Sequence, residues 1–184
     1  MSENEKEDSK NPQPQSGKLL ILVRHAKSSW KNLELSDFDR PLNKRGLRDA
    51  PEMGHRLASK YSAPDHFASS PAARAWATAK LIANAWNFPE DKLLPLPAAY
   101  EASASTLLGI VSEFPSEAKS AVLAAHNPST TILVNFLTGS DIPNVPTCGV
   151  AVIHFPIANW EEIAEGGGEL VEYDFPKNLT GESS

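Results

Sequence analysis

Between Lys18 and Val23 the chain reads KLLILV, and this run ends abruptly at Arg24 and His25. A short apolar run of that length is expected of a strand buried on both faces, the kind that sits inside a parallel sheet with helices on either side. A helical segment comes next. Asn43 precedes a pattern with apolar residues at Leu47, Ala50, Gly54, Leu57, Ala58 and Tyr61, a spacing that lines one side of a 3.6-residue helix. Pro51 lies inside it, and because an interior proline costs about 3 kcal/mol, a kink or a two-piece helix is expected there.

Further strands are expected at His66 to Ser69, near Lys92 to Leu96, at Ala118 to Ala125, at Cys148 to Phe155 and at Leu170 to Phe175. Ser70-Pro71 pairs a capping residue with proline at a first helical position, and opens a stripe through Ala72, Trp76, Ala79, Ala83 and Trp86 that stops at Phe88-Pro89. Ser105 to Phe114 reads as another helix. Asn127-Pro128 repeats the capping logic and opens a helix carrying Ile132, Leu133 and Phe136, which Gly139 ends. Strands alternating with helices in this way predict an α/β fold, a three-layer α/β/α arrangement around a mostly parallel central sheet.

Composition narrows the function classes. With 184 residues, 41% hydrophobic and 22% charged, the chain has the make-up of one soluble globular domain. Its 17 Lys and Arg stand against 23 Asp and Glu, a net charge of -6, which argues against a nucleic-acid footprint or a polybasic membrane patch. Any anion site is therefore local. Cys148 is the single cysteine, so an intramolecular disulfide framework and a thiolate metal cluster are excluded. No apolar stretch approaches the roughly 20 residues that a spanning helix needs. Residues 1–17 lack both a secretory apolar core and the Arg-rich character of a transit peptide. They are expected to form a disordered tail ahead of a domain at 18–179 and a flexible end at 180–184, and the location expected is cytoplasmic.

Three strand ends carry the chemistry: Arg24-His25, Ser70 to Arg74, and His126-Asn127-Pro128. In an open α/β sheet ligands bind outside the carboxyl ends of the strands. Helix N-termini at such a rim offer unpaired amides, and two arginines add bidentate donors, so the shared ligand is a phosphoryl group. Two histidines permit a division of labour, one nitrogen attacking phosphorus and the other hydrogen-bonding an equatorial oxygen. Neither task calls for a metal or an organic cofactor.

The strings LVRHAKSSW, SSPAARAWATA, YEAS and AHNPS, in that order, resemble the histidine phosphatase superfamily, and within it the short SixA-type phosphohistidine phosphatase branch. The resemblance runs from about Lys18 to Leu179 and implies a phosphoglycerate mutase-like fold. It implies His25 as the nucleophile, Arg24 and Arg74 as phosphoryl ligands, and His126 as the residue that completes the pocket. Glu101 matches the superfamily's acidic position, a general acid for the leaving group and base for water, though in this branch the position is not reliably acidic. Arg40, in DFDRPL, resembles a substrate-side arginine of the branch. An ion pair with Asp37 or Asp39 is its alternative role.

Other residues read as structural. Trp76 and Trp86 belong to the core by spacing, and Trp30 either walls the substrate entrance or covers its loop. His55, His66 and His154 lack metal-ligand spacing. The expected activity is phosphoryl hydrolysis through a covalent phosphohistidine, on a phosphorylated protein or, as the alternative, on a small phosphorylated metabolite. A binding module that recognises phosphate without turnover is the rival from another class. A mutase is disfavoured because it must enclose its intermediate, and no lid is evident.

Overall fold

A computed structural model describes residues 16–178, so the terminal expectations at 1–17 and 180–184 lie outside the described residues, save for Ser16 and Gly17. Strands β1 (Lys18–Arg24), β2 (His66–Ser69), β3 (Leu94–Pro95), β4 (Ser120–Ala125), β5 (Val150–Phe155) and β6 (Glu169–Asp174) form one sheet in the order β3-β2-β4-β1-β5-β6. The β1, β4, β2 and β3 strands run parallel, whereas β5 is antiparallel to β1 and β6 antiparallel to β5.

Helices α1 (Lys44–Lys60) and α2 (Ala73–Ala85) cover one face, and α3 (Ala104–Ser112) and α4 (Ser129–Thr138) the other. Strand pleating explains the division. Leu19, Ile21 and Val23 of β1 join Met53, Leu57, Phe67 and Ile82 on the first face, while Leu20 and Leu22 join Leu107, Val111, Leu133 and Val134 on the second. Each such side chain contributes about 1.5–3 kcal/mol when fully withdrawn from water. The α/β/α class and the mostly parallel sheet expected from the sequence are present.

Local departures have physical reasons. The chain continues through Pro51 as one 17-residue helix rather than two pieces. Its buried stripe is Gly46, Asp49, Ala50, Met53, Gly54 and Leu57, which leaves Leu47 and Ala58 exposed. Gly46 is required where it stands: a Cβ there would come within 2.3 Å of the Lys27 carbonyl, on the loop that follows β1. Helix α2 begins at Ala73, not at Pro71, because the Ser70 hydroxyl accepts from the Ala72 amide in a tight turn ahead of the helix.

In α4 the expectation holds for Leu133 but not for Ile132 and Phe136. Thr130, Leu133, Val134 and Leu137 face inward, while Ile132 and Phe136 are exposed. β3 shrinks to two residues, flanked by short 3-10 turns at Glu90–Lys92 and Pro97–Ala99. Gly139 closes α4 with φ 68°, a left-handed conformation that glycine adopts without strain.

Candidate active site

The carboxyl ends of β1, β2 and β4 converge, and they bring together the three junctions read from the sequence. The His25 and His126 rings lie 5.1 Å apart between centroids, and Arg74 Nε donates to His25 Nε2 across 3.3 Å. Ser70 Oγ and His126 Nε2 are 2.8 Å apart.

The tautomer of His25 follows from its partners. Nδ1 lies 2.8 Å from the Ala26 carbonyl oxygen, which can only accept, so Nδ1 carries the proton and Nε2 keeps its lone pair. Burial pushes the His25 pKa down to about 3, with the nearby charges of His126, Arg74 and Arg24 acting in the same direction against the Ala26 hydrogen bond. Near neutral pH the ring is thus an uncharged imidazole with its Nε2 lone pair toward Arg74. Thr78 holds the peptide beneath it: its hydroxyl accepts from the Ala26 amide (2.9 Å) and donates to the Arg74 carbonyl (2.6 Å).

His126 is set up in the complementary sense. Ser70 Oγ accepts from the Ala72 amide and lies 2.8 Å from His126 Nε2; when the hydroxyl donates in that second bond, the ring proton sits on Nδ1. That Nδ1 is buried and has no partner among the described residues, and neither has Arg24 Nε. Burial first, then Arg74, lowers the His126 pKa to about 4. The Arg24 pKa is also lowered by burial. Two unpartnered buried nitrogens, His126 Nδ1 and the guanidinium donor Arg24 Nε, therefore accompany the Nε2 lone pair of His25. The segment after α4 steadies them: Arg24 Nη1 donates to the Val145 carbonyl (2.7 Å), and Asn127 Nδ2 donates to the same oxygen (3.1 Å).

Helix N-termini contribute less than expected. The Ala73 amide donates to the Phe38 carbonyl, the Thr130 amide to the His126 carbonyl and the Thr131 amide to Asn127 Oδ1. Side chains, not these amides, supply the free donors.

The loop after β1 brings Asp37 to Arg74 and Tyr100 as well as to Arg40. Asp37 Oδ2 accepts from Arg74 Nη2 and from the Tyr100 hydroxyl, each at 2.9 Å, while Oδ1 accepts from Arg40 Nη1 at 2.8 Å. Its backbone carbonyl accepts from Arg74 Nη1 at 2.6 Å. Burial alone would raise the Asp37 pKa, but the Tyr100, Arg74 and Arg40 hydrogen bonds outweigh it and bring it to about 2. The Tyr100 ring stands edge-on to His126, with centroids 5.7 Å apart.

Arg40 is buried and engaged: besides Asp37 it donates to Ser28 Oγ and the Ser29 carbonyl, and its guanidinium lies 3.3 Å from the centroid of Trp30. The ion pair is therefore with Asp37, not Asp39, and Trp30 covers Arg40 while remaining 65% exposed. Glu101 follows Tyr100 at φ 51°, and its carboxylate is exposed, with no hydrogen bond or ion pair among the described residues. No group of three or more His, Cys, Asp or Glu among the described residues is arranged to hold a metal ion. Among those residues no helix is long and apolar enough to cross a membrane.

Residues 20–96 match the family model of the histidine phosphatase superfamily (branch 1). An uncharacterized chloroplastic protein of Arabidopsis thaliana is 32% identical over 160 residues, 83% of this chain and 73% of that protein. The crystal structure of a putative phosphohistidine phosphatase SixA from Agrobacterium tumefaciens superposes with a TM-score of 0.74 at 26% identity, covering 87% of this chain and 99% of that one. A tungstate complex of the protein histidine phosphatase SixA superposes equally well, TM-score 0.74, at 21% identity over 88% of this chain and 99% of that one, a likeness of fold. The chain belongs to the histidine phosphatase superfamily.

Proposed function

We propose that this protein is a phosphatase that works through a covalent phosphohistidine at His25, with residues 18–179 as the catalytic unit and a phosphohistidine-bearing protein as the preferred substrate. The observation that carries the reading is the fixed tautomer of His25: Nδ1–H is tied to the Ala26 carbonyl, and the bare Nε2 lies against Arg74. In the first step the Nε2–P bond forms as the bond from phosphorus to the leaving nitrogen breaks, its electron pair staying on that nitrogen. Water then attacks phosphorus, and the Nε2–P electron pair returns to His25 as phosphate departs. Arg24 Nε, His126 Nδ1–H and Arg74 stabilise the charge that builds on the equatorial oxygens.

These side chains need no metal for either step. Substrate preference is supported by the description of the Agrobacterium relative as a putative phosphohistidine phosphatase and by the open loop at 25–43, where Leu33 is 88% exposed. Exposed Glu101 is the carboxyl assigned to alkyl phosphates, whose leaving oxygen needs a proton. Arg40 acts on phosphate through Asp37 and Arg74.

The test is rapid quenching of the enzyme with a phosphohistidine peptide labelled on the phosphoryl group, in chelator. Acid-labile, alkali-stable label on wild type and none on His25→Ala is expected. Equal phosphate release by the two proteins would sink the assignment.

A further inference from the structure

The carboxylate of Asp37 sits where a phosphatase pocket has most reason to avoid one. It binds the same Arg74 guanidinium that reaches His25 Nε2, and it also takes the Tyr100 hydroxyl and Arg40. A carboxylate there repels an incoming phosphoryl dianion and occupies an arginine that the dianion would otherwise have to itself. With three donors on it and a pKa near 2, it stays ionised in the free enzyme and is a poor proton donor. A positively charged part of the substrate would offset that repulsion.

We propose that Asp37 selects the leaving group: it favours a phosphorylated imidazole that enters protonated on the ring nitrogen not bonded to phosphorus, and disfavours phosphate esters. The inference rests on the phosphohistidine reading above and names what enforces it. A ring protonated in this way carries a positive charge that the carboxylate attracts. When the P–N bond breaks, its electron pair stays on the leaving nitrogen and the ring departs as a neutral imidazole that still holds its proton, so no acid has to be supplied. An ester brings no cation to offset the repulsion, and its leaving oxygen needs a proton that ionised Asp37 cannot give. The Tyr100 ring, edge-on to both Phe38 and His126, fixes the hydroxyl that holds the carboxylate in place.

The experiment compares kcat/KM for a phosphohistidine peptide with kcat/KM for phenyl phosphate in wild type, Asp37→Asn and Asp37→Glu. Loosening of the arginines lowers both values in Asp37→Asn, so the ratio is the readout. The size of a charge-assisted hydrogen bond predicts that the peptide-to-ester ratio falls about ten-fold or more in Asp37→Asn. Asp37→Glu, which keeps the charge, should hold the ratio within about three-fold of wild type. Should the Asn protein fail to fold, Asp37→Ser repeats the measurement. A ratio that is unchanged or raised without the carboxylate overturns the inference and leaves the phosphohistidine reading standing. Wild type that releases no more phosphate from the peptide than His25→Ala does, while still hydrolysing phenyl phosphate, overturns both.

Discussion

Replacing Thr78 by valine should damage catalysis from a position that touches no substrate. Thr78 is fully buried on α2, one turn after Arg74, and its hydroxyl joins two parts of the site. It accepts from the Ala26 amide at 2.9 Å, and the carbonyl of that same residue fixes the His25 tautomer at 2.8 Å. Valine keeps the shape and deletes the oxygen. The Arg74 carbonyl loses little, since it retains its helical partner, but the Ala26 amide is stranded in the interior, at a cost of about 1–3 kcal/mol. A loss near 2 kcal/mol corresponds to a Tm lower by roughly 4–8 °C for a protein of this size. If the Ala26 peptide turns to find another acceptor, His25 moves with it, and a displacement of about 1 Å costs up to 10²-fold in rate. Thermal unfolding and steady-state kinetics on an aryl phosphate should therefore show a lowered Tm together with kcat reduced about 10- to 100-fold. Thr78→Ser, which restores the oxygen, should regain most of the rate. Wild-type kcat in Thr78→Val, or an equal loss in Thr78→Ser, would refute the linkage between this hydroxyl and the nucleophile.

Burial holds His25 near pKa 3 and His126 near 4, so histidine NMR shifts from both rings should stay those of neutral imidazole from pH 8 down to about 5, with Nδ1 protonated on each; a His25 midpoint near 6.5 would contradict the geometry. Stability inherits the same dependence. The unfolded chain takes up protons below about pH 6.5 that the folded rings refuse until pH 3–4, so this contribution is full above that pH and is lost as the pH falls toward those values, which urea midpoints will track. Glu101→Gln should slow alkyl phosphate hydrolysis more than phosphohistidine hydrolysis. Equal losses on the two substrates would remove Glu101 from the chemistry.

The alternation of KLLILV-like runs with helical stripes was enough to read the sheet and its layers, because each side chain from Leu19 to Val23 is buried on one face or the other and that run must be apolar throughout. Arg24, His25, Arg74 and His126 were legible for a related reason: parallel strands deliver their carboxyl ends to one rim. Asp37, Thr78 and Tyr100 were not, because each acts through a partner distant in sequence. Thr78 left a faint trace, a hydroxyl four residues after Arg74 among the apolar residues of the buried stripe, yet its partner Ala26 lies 52 positions away. Asp37 was visible only as a neighbour of Arg40, since nothing local announces that Arg74 and Tyr100 will close on it. The displaced start of α2 has the same origin: a capping hydroxyl reads identically whether it serves the helix or the turn before it.

The charge balance of the pocket brings these residues under one requirement. Arg24, Arg40 and Arg74 bring three positive charges, Asp37 brings one negative charge, and the two histidines are neutral. The surplus of two positive charges matches a phosphoryl dianion, on a chain whose net charge is -6. In the proposed reaction, a proton on His25 would remove the attacking lone pair and one on His126 would hold product phosphate more tightly; were Asp37 absent, a third uncompensated arginine would have the same second effect. Desolvation of the rings and retention of the carboxylate thus serve a single end, an anion site strong enough to gather charge in the transition state and weak enough to release phosphate afterwards.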